Sequence, residues 1–466
     1  FSREGEAAGD LVEVFRREPV YEFPTRIFTP PQRDAAQIAD LQRTLGAIGR
    51  EVHQIQAQAL QELKDRIAQR ERPALPAAPR VALIATDAGQ GTLEQVYRIG
   101  RALEALSWPF EPCAPDNPRK CYLVAQLAVI DRVEADLVLL VNSPPGVLAS
   151  LLPPSIRMAS WYLSAASLPE NLAPAFSERC PVWAASATIR QALELRQASP
   201  EYINMLPPGA DTTLFRPVDV AAEEAASVGC EVAVLADLPP TLPQAVNISL
   251  PSHVELWQAL RAALTRRIDG AGYTSDQAER VLSEAERASG TALKDPAIRE
   301  HFIQLFRWHL LPATLARSAA EALLEEGHRI GVWGTNWETL PSDLDVRRGP
   351  IPQGEALNRL FNAVDTVLLP VPSIESTQMA LNALAAGANV ICRSPERVFE
   401  EEYPGLGDLS SCLNLYRNRD ELRETSAGLR SRVGKDLPRR PRESLQSAVD
   451  HHKLEHRLMT LWGEAR

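Results

Sequence analysis

No uninterrupted apolar run in this sequence approaches the roughly 20 residues that a membrane-crossing helix needs, so no helical span is expected. Cysteine is sparse: the six, at 113, 121, 180, 230, 392 and 412, form no C-x-x-C pair and no dense framework. That excludes a disulfide-stapled scaffold and a thiolate zinc site, and fits scattered thiols in a reducing compartment. Excess positive charge is missing too. A net charge of −11 argues against a general nucleic-acid binder. The glycine turn at Gly89, Gln90 and Gly91 is not followed by Gly-Lys-Ser or Gly-Lys-Thr, so it is not a Walker loop. With two glycines it is also not a full dinucleotide fingerprint. No histidine lies between His53 and His253. His452 and His456 stand four apart but without an H-E-x-x-H arrangement, so they read as a cap or contact, and no metal site is expected.

What is present is alternation. Apolar runs at 81–85, 137–141, 158–163, 181–185, 202–206, 232–235, 330–333, 364–369 and 388–392 read as buried strands, with helical spacing between them. Leu357, Leu360 and Phe361 share one helical face, and Met379, Leu381 and Leu384 share the next. Strands alternating with helices imply parallel sheets, whose ligands bind outside the carboxyl ends of the strands. Ahead of this pattern, Ile38, Leu41, Leu45, Ile48, Val52, Ile55 and Ala59 keep a three-four spacing that predicts one long helix. It either lies along its own protein or joins a second copy or a partner protein through residues 31–70. The proline-rich stretch 73–79 ends it. Residues 252–312 are mostly helical: Ser252 and Glu255 make a capping box, and Ile298, Phe302, Leu305, Phe306 and Leu310 form an apolar side further on.

The loops at the expected carboxyl ends carry groups suited to a nucleotide: Gly334-Thr335-Asn336-Trp337, Gly349-Pro350-Ile351-Pro352, and Pro372-Ser373-Ile374-Glu375-Ser376-Thr377. The order strand–G-x-x-W, V-x-x-G-P, E-A-L-x-x-L-F-N-A-x-D-x-V-L-x-P and a helix ending A-A-G, all within 328–394, resembles the nucleotide-binding half of GT-B glycosyltransferases. Among them it is most similar to the bacterial group 1 enzymes and those related to the spore maturation protein CgeB. Leu206-Pro207-Pro208-Gly209-Ala210-Asp211 with Phe215-Arg216-Pro217 resembles the segment by which such enzymes pass between domains.

The resemblance implies an α/β chain with two Rossmann-like parallel-sheet domains facing a cleft, a long N-terminal helix, and a helical insertion in the second domain. The divisions expected are an extension over 1–79, an acceptor domain over 80–220, a donor domain over 221–437 with its insertion at 252–312, and a C-terminal helix over 438–466 crossing back to the first domain. It implies a cytoplasmic or membrane-peripheral, metal-independent transferase. Such an enzyme uses a nucleotide-sugar donor as substrate, holds no cofactor tightly, and acts on a glycan, lipid-linked or protein acceptor. Donor contacts would come from Arg317, Gly334, Thr335, Asn336, Trp337, Pro350, Ile351, Ser373, Glu375, Ser376, Thr377, Gln378 and Asn382. Gly89, Gln90 and Gly91 would form an acceptor or phosphate loop, with Asp87 as the catalytic base where that family often uses a histidine. Glu375→Ala and Trp337→Ala are expected to weaken nucleotide binding without unfolding the protein.

Two departures from the pattern matter. Asn382 stands where many relatives carry the glutamate that accepts from ribose hydroxyls, and Asn adds no charge there. The loop after 232–235 reads Ala236-Asp237-Leu238-Pro239-Pro240 in place of glycines. With the missing histidine, these leave a second reading beside the enzyme: a glycosyltransferase-like protein without turnover, serving as a binding or assembly subunit. A retaining mechanism would equally explain the missing histidine.

Overall fold

A computed structural model describes residues 35–70, 76–86, 90–114, 123–164, 176–239, 250–268, 278–337, 346–395, 397–433 and 449–465, together with Glu13 and Leu168. The chain forms two compact units. The first holds residues up to Leu206 together with Glu455–Arg466, and the second holds Pro207–Leu454. The division thus falls at 206/207, inside the segment singled out for passage between domains and ahead of the expected 220.

Each unit is built on a six-stranded sheet in which every pairing is parallel. In the first, the order is β2-β1-β3-β4-β5-β6, with β1 at Val81–Ala85, β2 at Phe110–Cys113, β3 at Leu137–Val141, β4 at Arg157–Tyr162, β5 at Val182–Ala184 and β6 at Ile203–Met205. In the second, β7 spans Val232–Leu235, β8 Ile330–Trp333, β9 Arg347–Gly349, β10 Thr366–Leu369, β11 Asn389–Arg393 and β12 Asn414–Tyr416. Its order, β12-β11-β10-β7-β8-β9, is the doubly wound order of dinucleotide-binding sheets when β7 is counted first. The expected α/β class with two Rossmann-like sheets is what the chain adopts.

Most strands foreseen from sequence are buried on both faces, as β1 and β3 are throughout, with the edge strand β6 as the exception. The three not foreseen are edge strands. Strand β2 reads Phe-Glu-Pro-Cys, and its proline is tolerated because an edge leaves one row of backbone donors unpaired. Strand β9 is exposed at all three positions, and β12 closes the other edge of the second sheet. None of them shows an uninterrupted apolar run.

Helix α1, Ala35–Gln69, packs the later part of its apolar seam on its own unit. Ile48 and Val52 are buried, and Leu63 and Ile67 enter the core under the first sheet beside Val124 and Leu127. Those two valine and leucine neighbours lie on α3, Leu123–Arg132, which follows α2, Gln90–Ala105. Arg66 and Arg70 fix the register of α1 by pairing with Asp131 at 3.0 and 3.2 Å.

Among the described residues the insertion in the second unit holds three helices, α4 at Pro251–Ile268, α5 at Ala278–Ser289 and α6 at Pro296–Leu305. A π-helical turn, Phe306–Leu310, then leads into α7, Leu311–Glu325. The wide turn sits just before Pro312, which has no backbone N–H to offer the preceding turn. These helices enclose their own core of Leu256, Leu260, Leu264, Val281, Phe302 and Phe306. Helix α4 starts at Pro251, with proline in its favoured first position. Ser252 therefore lies inside the first turn and not at the expected cap. The insertion is bound internally by charge as well: Arg299 bridges Glu279 and Glu286, each at 2.8 Å.

The last helix, α10, is Leu454–Ala465. The residues before it pair back on the 207–211 segment. Ala210 N–H donates to His452 O at 2.8 Å, and Leu454 N–H donates to Ala210 O at 2.9 Å. Gly209 allows this approach, since a Cβ there would lie 2.7 Å from the Leu454 backbone. His452 is buried, and its Nε2 lies 2.9 Å from Asp408 Oδ1 and 3.0 Å from Oδ2. It makes a structural contact, and no group of His, Cys, Asp and Glu among the described residues could hold a metal. Burial works to raise the pKa of the Asp408 carboxyl, but the hydrogen bond and charge of His452 outweigh it and hold the carboxyl below its ordinary range. A depressed carboxylate contributes stability above its unfolded pKa and loses that contribution as pH falls through the folded value. The stability difference between wild type and Asp408→Asn should therefore be full above about pH 4, the ordinary aspartate range, and shrink below it. Thermal melts from pH 6 to pH 3 read this out, and a difference independent of pH would refute the pairing.

Candidate functional site: a crevice at the switch point of the second sheet

In the second unit, strands β7 and β10 are neighbours, but the chain leaves them in opposite directions. After β7 it passes through the insertion into α7, whose Ala316, Ala319, Ala320 and Leu323 pack on one face of the sheet with Val232 and Val234. After β10 it enters α9, Ile374–Ala385, whose Ala380, Leu381 and Leu384 pack on the other face with Ala233 and Leu235. Helix α8, Glu355–Ala363, joins the same face through Leu357, Leu360 and Phe361. Diverging connections open a crevice at the carboxyl ends of the two strands, and open α/β sheets bind their ligands at such a point.

One wall of that crevice is the start of α9. Ser373, in an extended conformation, caps the helix by accepting from Ser376 N–H at 3.1 Å. The Thr377 hydroxyl donates to Ser373 O at 3.0 Å, which leaves it tied to the cap. Capping takes one of the four unpaired donors at a helix start; the amides of the first turn and the helix dipole still favour an anion there. Glu375 is exposed in this turn. A small pocket lies beneath, between the ends of β10 and β11, lined by Leu369, Pro372, Ser373, Ser376, Thr377 and Cys392 among others. Arg393, at the end of β11, also borders it, but its guanidinium lies elsewhere. Side chains alternate along a strand, so Arg393 shares the face of Ile391, opposite Cys392. Its guanidinium lies over the Tyr416 ring at 5.6 Å, and burial lowers its pKa.

The other wall joins the loops after β7 and β8. Asp237 Oδ1 accepts from Thr335 N–H at 2.9 Å and from the Thr335 hydroxyl at 3.1 Å. Asn336 Nδ2 donates to Leu238 O, and Trp337 Nε1 donates to Ala236 O, both at 2.7 Å. Gly334, at φ +137°, lets the two backbones meet, and its N–H donates to Gly349 O at 2.8 Å. Gly349 and Pro350 are exposed, while Ile351 is partly buried against the core. The departure at 236–240 thus has a structural consequence: Asp237 holds the neighbouring loop. Trp337 is 3% exposed within the core beside α7, so truncating it would cost packing, contrary to the expectation that the protein would tolerate it.

Gln378 and Asn382 lie one and two turns into α9 and are buried. Gln378 Nε2 donates to Gly209 O at 2.5 Å, and Asn382 Oδ1 accepts from Asp211 N–H at 3.1 Å. Asn382 Nδ2 has no partner. Both side chains are occupied in holding the 209–211 segment, which the sequence does not reveal because the partners are 169 and 171 positions away.

Arg317 stands in the second turn of α7, the end of that helix nearest the carboxyl edge of the sheet. It is half-buried, and its Nε is buried without a partner. Burial lowers its pKa, and the charge of Arg261 on α4 lowers it further, against a smaller opposing effect of Glu321.

In the first unit, Asp87 and Gly89 lie outside the described residues. Gln90 and Gly91 open helix α2, so Gly91 is a helical residue and not part of the expected turn. The structure adds Thr86, Thr92, Asn142 and Ser143 at the ends of β1 and β3, the switch point of that sheet. Ser143 Oγ accepts from Thr86 N–H at 2.9 Å, and Asn142 Nδ2 donates to Thr92 Oγ1 at 3.2 Å. Asn142, at φ +50°, also accepts from Leu163 N–H at 2.7 Å. An Asn-Ser pair placed directly after an apolar run was the available signal.

No protein-family model and no curated protein matches the sequence. Solved structures with a similar course include a glycosyltransferase from Rickettsia africae, at 11% identity and a TM-score of 0.45, covering 83% of this chain and 98% of that one. Sucrose-phosphate synthase from Thermosynechococcus elongatus is 14% identical, with a TM-score of 0.41 and coverage of 83% and 97%. Anabaena HepE in complex with UDP and glucose is 13% identical, with a TM-score of 0.38 and coverage of 83% and 98%. No helix among the described residues is long and apolar enough to cross a membrane.

Proposed function

We propose that this protein transfers a glycosyl group from a nucleotide-sugar donor, held in the second unit, to a glycan, lipid-linked or protein acceptor, without a metal ion. The observation that supports the reading is the β7/β10 switch point, where the capped start of α9 and the 334–337 loop both follow the carboxyl ends of strands in one sheet. Glycosyl transfer needs charge on a departing diphosphate to be stabilised, and a helix start supplies preorganised donors for it. In this reading Ser373, Glu375, Ser376 and Thr377 face the phosphates and ribose. Gly334 and Thr335, with Pro350 and Ile351, border the base, and Arg317 adds positive charge. Asn336, Trp337, Gln378 and Asn382 act by shaping the loops. Asp87, with Gly89, Gln90 and Gly91, remains the nominee for acceptor activation in the first unit.

A thermal-shift screen against nucleoside diphosphates and nucleotide sugars, first with EDTA and then with magnesium, tests the reading. A ligand bound only by the folded state raises the melting temperature, by an amount set by its concentration over Kd. Stabilisation by one base family in EDTA, reduced in Glu375→Ala, is expected. A cooperative melt with no shift from any of them would reject it. That result would leave the alternative, a glycosyltransferase-like binding or assembly subunit, which is favoured by one specific observation: Asn382, at the ribose-contacting position of the resemblance, is fully buried and already bonded to Asp211.

A further inference from the structure

Four of the nine exposed large apolar side chains among the described residues lie on the helical insertion: Leu250, Val254, Ile298 and Trp308. Three of them belong to one patch. Leu250 O accepts the first helical hydrogen bonds of α4, from His253 N–H at 2.9 Å and Val254 N–H at 3.1 Å. Leu250, Val254, Trp257 and Arg261 then follow at i, i+4, i+7 and i+11. They form a stripe distinct from the side of Leu256, Leu260 and Ala263, which packs in the core of the insertion. Leu250 is 54% exposed and Val254 41%. The Trp257 and His253 rings flank Phe302 of α6, with centroids at 6.4 and 5.4 Å, and the Thr291 hydroxyl donates to Ser252 O at 3.4 Å. These contacts set Ile298, exposed and one turn before Phe302, beside the stripe. The edges of the patch are basic. Arg261 ends the stripe and Lys294 precedes Ile298 by four residues; both are exposed, and among the described residues neither makes an ion pair. The described part of the insertion carries eight Lys and Arg against six Asp and Glu, in a chain of net charge −11. Three of those six acids, Glu279, Glu284 and Glu286, are already taken by Arg266, Arg267 and Arg299.

We propose that this patch docks the protein on an anionic lipid surface. Leu250, Val254, Trp257 and Ile298 enter the boundary between headgroups and acyl chains, and Arg261 and Lys294 meet the headgroup charges. A stripe along the outer side of a helix is convex, whereas a bound peptide is held in a groove or along a strand edge. Aliphatic side chains beside a tryptophan, with long basic side chains at the edge, suit the interface of a bilayer. Charge selects the insertion for this contact, because an anionic surface repels the acidic remainder of the chain and attracts unpaired cations. Docking here favours the lipid-linked class among the acceptors named above, and in that one respect the inference rests on the transferase reading.

Co-sedimentation of the full chain with vesicles tests this, using phosphatidylcholine alone and phosphatidylcholine mixed with phosphatidylglycerol, at low and at high salt. Val254→Asp and Arg261→Glu are compared with Leu195→Asp, which places the same charge on an exposed leucine of the first unit. Thermal melting without vesicles checks that each variant folds as wild type does. The expected result is binding of wild type to the mixed vesicles, weaker on phosphatidylcholine alone and weakened by salt. Val254→Asp and Arg261→Glu should each lower the partition coefficient about tenfold, the scale of reversing one charge at a membrane surface. Leu195→Asp should leave it unchanged. No binding of wild type to the mixed vesicles would overturn the proposal, as would equal binding by wild type and Val254→Asp. Light scattering gives a further way to fail: a wild-type dimer that Val254→Asp converts to monomer would show that a second copy covers the patch. The transferase reading is judged separately by the nucleotide thermal-shift screen. Vesicle binding through this patch with no nucleotide shift leaves the docking surface standing and the transferase reading rejected. A nucleotide shift without vesicle binding gives the reverse.

Discussion

Gly334→Ala should unfold or severely weaken the second unit, with a loss of at least about 3 kcal/mol and a melting temperature lower by roughly 10 °C. A Cβ at this position would sit 1.9 Å from Ala236 O and 2.6 Å from its carbonyl carbon. Backbone atoms cannot rotate away as a flexible side chain can. The φ of +137° is itself open to glycine and costly for any other residue. Relief requires Ala236 O to move by more than an ångström, and that oxygen accepts the buried Trp337 indole N–H at 2.7 Å. Strain at one residue therefore becomes loss of the whole bond network between the loops after β7 and β8. Thermal melting followed by circular dichroism measures it. A variant melting with wild type would mean that the two loops are not joined as described.

Asn382→Glu tests the most consequential departure from the glycosyltransferase pattern. If the position contacted ribose, restoring a carboxylate should improve nucleotide binding. The structure leads to the opposite expectation. Asn382 is fully buried, its oxygen is bonded to Asp211 N–H, and its amide nitrogen has no partner. A glutamate is one methylene longer in a packed core, and its charge would meet no cation there, so burial would raise its pKa. The cost should be about 3 to 5 kcal/mol, the range for an uncompensated buried charge, with no gain in affinity for any nucleoside diphosphate. Because the carboxyl is pushed upward, stability should be lost as pH rises through its folded pKa and partly regained in mild acid, above the range where Asp408 begins to protonate. A stable variant with tighter nucleotide binding would show that Asn382 faces the ligand after all.

These two residues mark how far the sequence reaches. The parallel-sheet class followed from apolar runs alternating with helical spacing, because strands buried on both faces must be apolar throughout. The cap at Ser373 is equally local, since the side chain and the amide it satisfies are three residues apart, but it was found in the structure. The long helix over Ala35–Gln69 and the helical insertion also followed from local spacing. Edge strands β2, β9 and β12 were not legible, since half their backbone and many of their side chains face water and carry no apolar signature.

The use to which each polar residue is put was decided by the tertiary structure alone. Trp337 and Asn336 looked like ligand groups on a glycine loop, but the neighbouring loop, 98 to 101 positions earlier in the chain, takes their hydrogen bonds. Gln378 and Asn382 looked like donor contacts, but the 209–211 segment takes them. Periodicity and capping are local, so sequence by itself determined the elements and their layering. Hydrogen-bond satisfaction and charge pairing are settled by whichever group arrives across the fold, so only the tertiary structure decided which side chains are left for a ligand.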